Sequence, residues 1–496
     1  MRLDTVLYER AKRFPDRICI RFERRGITYS ELDKLVSLVS SGLRSFKLGS
    51  GERVSILMEN CPEYIISYFA ILRTGGVAVP VNTMLTPDEI SYILNDSGSK
   101  VLIYGDGLSD RVEMIEGKCQ NVRMVHFNDI PKIETDIDMD KDGGDGIAVL
   151  LYTSGTTGFP KGVMLTHANL ISNADSCMKV MDISHNDRIL LFLPLFHSFS
   201  FTVCVILPIY AGATIVLLPS VKPFSRVINA IFKERITFFI GVPTIYNILS
   251  RKRIPFFLRY VVRYLLKIKA CISGAAPLPP ETTHEFEKRF NVPLLQGYGL
   301  TEASPVVSVN PLKGIRKPES VGPPIPGVEV AVVDENGKRL PIGEVGELIV
   351  KGPNVMRGYF NNEDATRETI KDGWLYTGDM ARIDKDGYIY IVDRKKDLII
   401  VDGMNIYPRE VEDVVLKISA VDECAMVGIP DGRGSEVTVL FVKPKEGYEV
   451  GDKEIRGYLK RHIAGFKIPR RIIITDTLPK TSTGKIKKAE LRRIKL

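Results

Sequence analysis

Short apolar runs separated by helix-length polar stretches set the strongest limit on what this chain can fold into. Residues 53–58 (RVSILM), 77–81 (VAVPV), 100–104 (KVLIY), 122–127 (VRMVHF) and 147–151 (IAVLL) are strand-sized, with room for crossover helices between them. The rhythm resumes at 188–194, 214–219, 236–243, 269–274 and 292–299, so α/β layers are expected. Ahead of them a first helix, a strand at Arg17–Phe22 and a helix start at Ser30, with Asp33 three residues on, are expected. Around 328–351, D-x-N-G-type turns between strands predict an antiparallel section. At 496 residues the chain exceeds one ordinary core, so at least two domains are expected.

The boundary is placed at Asp393-Arg394-Lys395-Lys396-Asp397, five consecutive charges between two apolar runs. Beyond it the pattern reads strand, helix 408–418, strands 423–429 and 436–442, helix 452–463, strand 471–475 and a final basic helix, a small α+β domain. The expected division is therefore 1–393, a hinge at 394–397, and 398–496. Residues 201–218 run 18 long without a charge, the threshold for a membrane span. Pro208 and Ala211-Gly212 interrupt them, which favours a buried helix, a turn and a strand.

Directly behind Leu151 stands YTSGTTGFPKG, 152–162. Gly155, Gly158 and Gly162 let backbone N–H groups approach an anion, Thr153, Ser154, Thr156 and Thr157 add hydroxyl donors, and Lys161 adds a mobile positive charge. That is a composition for holding phosphate. It does not spell G-x-x-x-x-G-K-[ST], because Gly162 follows Lys161 and no Ser or Thr is placed to meet Mg²⁺.

A net charge of +8 is a small bias toward anionic ligands, and no nucleic-acid-binding tract is present. Seven cysteines without C-x-x-C and six scattered histidines argue against metal cages and disulfide frameworks, and a reducing cytoplasm fits best. Arg251, Lys252, Arg253, Arg259, Arg263, Lys267 and Lys269 interleave with apolar residues over 251–269. This pattern suits peripheral contact with an anionic bilayer, at the inner face of the membrane, and equally an ordinary amphipathic surface helix.

Further motifs stand at turn-like breaks: Gly274-Ala275-Ala276-Pro277, Gly297-Tyr298-Gly299-Leu300-Thr301-Glu302, Tyr376-Thr377-Gly378-Asp379, Asp393-Arg394, and Pro479-Lys480-Thr481-Ser482-Thr483-Gly484-Lys485. Together with 152–162, in this order, they resemble the adenylate-forming superfamily of acyl-CoA synthetases, peptide-synthetase adenylation domains and firefly luciferase. The resemblance implies a large multi-subdomain N-terminal domain, a small mobile C-terminal domain, and the use of ATP, Mg²⁺ and coenzyme A.

It also implies residue roles. The 152–162 loop embraces the β- and γ-phosphates, Thr301 donates to the α-phosphate and Glu302 holds Mg²⁺. Tyr298 offers a flat face to the purine beside the small Ala276, although a core tyrosine is the plain alternative. Asp379 accepts from the ribose hydroxyls, reinforced by Arg394. Lys485 bridges the attacking carboxylate and the α-phosphate. By composition alone it is an exposed lysine among Lys480, Lys487 and Lys488; its place in the motif argues otherwise. For the second half-reaction the hinge residue falls on Lys396, and Val401-Asp402-Gly403-Met404-Asn405 matches the loop whose glycine, Gly403, lines the pantetheine tunnel. The family's frequent lysine six residues past the arginine is here Ile400, which leaves a polar role there in doubt.

In LPLFHSFSF, 193–201, His197 matches the gate of the acyl site; a lone histidine among apolar residues is also a common core group. Phe196, Phe199, Phe201, Val203, Val205 and Ile206 suit an apolar acid. The expected activity is ligation of a medium- or long-chain fatty acid to CoA through acyl-AMP. Loading of a carrier-protein phosphopantetheine and ligation of an aromatic acid are the alternatives. No carrier-like segment follows the second domain, which favours free CoA. Nothing supports a luciferase-like oxygenase, and a homodimer stays open.

Overall fold

The structure is a computed structural model describing residues 1–119, 121–134, 144–153, 160–251, 267–401, 404–430, 436–480 and 486–494. It separates into two compact units, Met1–Glu329 with Val350–Leu375, and Val330–Ile349 with Tyr376–Leu496.

The first unit holds two mixed sheets. One has the order Val306–Val309, Leu294–Gly299, Ala270–Ser273, Phe238–Gly241, Arg188–Leu191, Thr214–Leu217, Ile18–Phe22, Arg25–Thr28, with the inner six strands parallel and both edges antiparallel. The other runs Gly358–Tyr359, Lys161–Thr166, Ile147–Thr153, Val77–Pro80, Arg53–Leu57, Val101–Tyr104, Arg123–His126, antiparallel over its first three strands and parallel over the rest. Parallel strands need crossovers, and the helices Pro62–Arg73 and Pro87–Ser97 supply two of them. Every residue of Pro62–Arg73 except Glu63 is buried, whereas Pro87–Ser97 is started by a capping box between Thr86 and Glu89.

Two local expectations meet the structure here, and one of them changes. The helix expected from Ser30 spans Tyr29–Arg44 and is capped by Thr28, whose side chain accepts from the Glu31 N–H; the short edge strand Arg25–Thr28 delivers that cap. The uncharged stretch 201–218 is the expected buried helix, turn and strand. Ser198–Phe201, a π-helical turn at Thr202–Ile206 and Leu207–Ala211 run on to Gly212, whose φ of +76° ends the helix before the strand Thr214–Leu217. Among the described residues no helix is long and apolar enough to cross a membrane.

The second unit combines sheet strands from Glu329–Val333, Gly346–Lys351, Trp374–Ile383 and Ile389–Arg394 with the C-terminal elements. There the helix Pro408–Val415 packs against the hairpin Val421–Pro430 and Glu436–Pro444, to which Arg471–Ile474 adds a parallel strand. The final basic helix is one turn, Lys488–Leu491, seated by the buried Leu491. The units thus divide at other points than residue 393. The buried carboxylate of Asp393 accepts from the backbone N–H of Arg409 at 2.8 Å and so ties the preceding strand to the C-terminal helix.

Candidate active site

Thr153 and Lys161 face each other in the antiparallel register of Ile147–Thr153 with Lys161–Thr166, at the mouth of the phosphate-loop hairpin. The calls on Ser154, Gly155, Thr156, Thr157 and Gly158 lie outside the described residues. Helix Pro87–Ser97 grips both stems: Tyr152 donates to Asp96 at 2.6 Å, and Tyr92 donates to the Pro160 carbonyl at 3.3 Å. Burial first, and then the Asp96 contact, push the Tyr152 hydroxyl far above its usual range, so it stays a donor.

From the same hairpin Lys161 reaches the face of Tyr359, 5.3 Å from the ring centroid. Tyr359 is itself a strand residue paired with Val163, and its hydroxyl donates to Glu302 Oε1 at 2.9 Å. Glu302 lies in the short turn Thr301–Ala303, and its carbonyl accepts from the Met356 N–H at 2.8 Å. Beside it, Thr301 Oγ1 is 3.1 Å from Ser198 Oγ. Ser198 follows His197, whose Nδ1 accepts from the Phe199 N–H at 3.3 Å as the cap of its short helix. Lys161, His197, Thr301 and Glu302 are therefore gathered by Tyr359 and Ser198, two residues with no assigned role in the sequence reading.

The glycines here have steric reasons. A Cβ on Gly299 would stand 2.0 Å from the Pro305 carbonyl oxygen, and one on Gly274 would stand 2.6 Å from Phe199 Cζ. Gly297 and Tyr298 lie on the strand Leu294–Gly299, with Tyr298 half-buried opposite Ser308. Ala275 takes a φ of +66°, rare for a residue with a Cβ, and Ala276 beside it is half-buried. Phe196 and Phe199 are half-buried, whereas Phe201, Val203, Val205 and Ile206 are core: Phe201 packs on Tyr68 with centroids 4.2 Å apart.

Among the described residues no three His, Cys, Asp or Glu side chains cluster as a metal cage. Mg²⁺ does not require one, since it binds through one or two carboxylates plus phosphate oxygens and water. Glu302 fits that role: it is half-buried, one oxygen is held by Tyr359, and among the described residues Oε2 accepts no hydrogen bond.

In the second unit Asp379 is buried and lies 3.2 Å from Arg394 Nε, its cross-strand partner. The turn before it is fixed by Glu347, a residue that sequence reasoning passed over. Glu347 accepts from the Gly378 N–H at 3.1 Å and pairs with Lys395 at 2.7 Å, while Gly378 takes a φ of +70°. Lys396 is exposed at its side chain, yet partial desolvation and then the Arg394 charge hold its ammonium below the usual lysine range. Gly403 and Lys485 lie outside the described residues. The flanks of Lys485 are set by an antiparallel bridge of Lys480 with Ile486 and by Lys487 N–H donating to the Pro479 carbonyl at 2.8 Å. Segment 252–266 is likewise outside the description. Lys269, counted in its basic face, is committed to Asp187 at 2.7 Å.

The AMP-binding enzyme family model matches residues 7–360, and the AMP-binding enzyme C-terminal domain model matches 410–485. A long-chain-fatty-acid–CoA ligase of Bacillus subtilis (strain 168) is 34% identical, over 99% of this chain and 94% of its own length. A feruloyl-CoA synthase of an Amycolatopsis species is 36% identical, over 98% and 97%. Among solved structures, ATP-bound MatB from Rhodopseudomonas palustris superposes with a TM-score of 0.90 at 30% identity, covering 99% of this chain and 98% of that one.

Proposed function

The chain belongs to the AMP-binding enzyme family, and from that premise we propose that it joins a medium- or long-chain fatty acid to coenzyme A through acyl-AMP. It is an AMP-forming acid–thiol ligase, and enzymes of this family use ATP, Mg²⁺ and CoA. The observation that carries the reading is the gathering of Lys161, Thr301 and Glu302 from distant segments by Tyr359 and Ser198. An ammonium, a hydroxyl and a carboxylate suit a polyphosphate with its cation. Bound at Glu302, Mg²⁺ would neutralise phosphate charge.

In this reading Lys161 and the 152–158 loop grip the leaving pyrophosphate, and Thr301 donates to the α-phosphate. Asp379, steadied by Arg394, accepts from the ribose hydroxyls, and Tyr298 lies along the purine. Lys485 brings its charge to the attacking carboxylate. Residues 394–397, with Lys396, form the hinge that exchanges Lys485 for the Gly403 loop before the thiol attacks. His197 gates the acyl site, its orientation supported by the Phe199 N–H held at Nδ1.

The apolar acid is supported by the half-buried Phe196 and Phe199 beside that gate. A second reading, an aromatic acid, is favoured by the 36% identity to a feruloyl-CoA synthase. Measuring kcat/KM across acetate, medium-chain, long-chain and aromatic acids decides between them. Fatty acids should rank first; an aromatic acid outrunning all of them would sink the first reading.

Peripheral membrane contact through 251–269, in the cytoplasm at the inner face of the membrane, belongs to the same proposal. Binding to anionic liposomes should be lost when Arg259, Arg263 and Lys267 are all replaced by Glu. Co-sedimentation unchanged by the triple replacement, or absent from the start, would dismiss it.

A further inference from the structure

Tyr359 is nine-tenths buried, held by backbone pairing to Val163, and its neighbour Phe360 donates its N–H to the Gly162 carbonyl at 2.7 Å. Its ring and hydroxyl therefore have fixed positions relative to the phosphate-loop hairpin. The hydroxyl meets Glu302 at 2.9 Å, and the ring carries Lys161 on its face. The one side chain thus touches two groups assigned to opposite charges of the same ligand.

We infer that Tyr359 is a positioning residue for the metal-bearing pyrophosphate end of ATP, its hydroxyl holding Glu302 Oε1 so that Oε2 is presented to the divalent cation while its ring seats Lys161. The inference rests on the reading of Glu302 as the Mg²⁺ ligand. In their hydrogen bond the Tyr359 hydroxyl is the donor and the Glu302 carboxylate the acceptor. A carboxylate tethered at one oxygen loses less side-chain freedom when the other meets a cation, the advantage of a supported ligand in any metal site.

Tyr359→Phe keeps the ring, the strand and the Lys161 contact and removes the hydroxyl alone. Mn²⁺ binding to the full chain with ATP, followed by electron paramagnetic resonance, should weaken about tenfold, the size of one hydrogen bond to a charged group. ATP binding in EDTA should stay at the wild-type value, which also reports that the variant is folded. Glu302→Gln is measured alongside. A Tyr359→Phe titration superimposable on wild type, with Glu302→Gln weakened, overturns the inference and leaves the Glu302 assignment standing. Mn²⁺ affinity unchanged in Glu302→Gln removes that assignment, and the inference with it.

Discussion

Replacing Lys485 by alanine should slow acyl-adenylate formation by about 10²- to 10³-fold while leaving thioester formation from supplied acyl-AMP near the wild-type rate. A carboxylate attacking the α-phosphorus brings two anions together, and an ammonium between them stabilises the charge that builds up as the bond to pyrophosphate breaks. In the second half-reaction a thiol attacks the acyl carbon, not the phosphorus, and needs no such bridge. The neighbouring lysines are poor substitutes: Lys480 is held by Glu423 at 2.6 Å, Lys487 by Glu490 at 2.8 Å and Lys488 by Glu412 at 2.8 Å. Carboxylate-dependent ATP–pyrophosphate exchange reads the first step, and CoA consumption with synthetic acyl-AMP reads the second. Equal losses in both would contradict the role given to Lys485.

What the chain announced locally, it also built. The strands at 53–58, 77–81, 100–104 and 236–243 stand within a residue or two of their apolar runs, because a buried strand needs little beyond continuous apolar content between turn signals. Long-range partners are another matter. Nothing near residue 359 shows that a tyrosine there reaches Glu302, and nothing near 347 shows that a glutamate there closes the turn before Asp379. Both contacts depend on which strands lie side by side, a property of topology and not of local pattern. Asp393, inside the charged run DRKKD, makes the same point. Its side chain is 6% exposed and accepts the backbone N–H groups of Arg394 and Arg409, so one of five charges is interior. Thr28, and not Ser30, caps the helix by standing three residues before Glu31, a spacing that Ser30 duplicates with Asp33, so local pattern alone does not choose between them.

The second large effect is expected in the second unit, at the pair Glu412 and Lys488, whose side chains are 14% and 18% exposed. Their charged atoms are 2.8 Å apart, and Glu412 Oε1 also accepts from the Met426 N–H at 2.7 Å. Burial raises the Glu412 carboxyl against the opposing pull of Lys488; on Lys488, burial acts downward but Glu412 and then Asp393 outweigh it and the ammonium ends above its usual range. Removing either partner leaves a largely desolvated charge uncompensated, so Lys488→Met and Glu412→Gln should each cost about 3 kcal/mol, the low end for a buried pair because both groups keep some exposure. Because replacing both groups removes the desolvation of both, the double variant should recover most of that loss, its carboxamide oxygen still accepting from the Met426 N–H.

The pH dependence fixes the sign. A carboxyl raised in the folded state favours folding while protonated, and that contribution is lost as pH climbs from the ordinary carboxylate range through its folded value. In Lys488→Met the pull of the cation is gone, Glu412 rises further, and the deficit should shrink as pH falls toward the carboxylate range. A raised lysine contributes stability that is fully present below its unfolded value and lost as pH rises through the folded one. In Glu412→Gln the unpartnered Lys488 is pushed downward instead, so the deficit should shrink as pH rises. Calorimetric unfolding of the full chain against pH, following the transition that the two substitutions move, reads all four proteins. Additive single costs, or deficits that do not change with pH in opposite directions, would show that the pair is not the buried ionic unit its geometry describes.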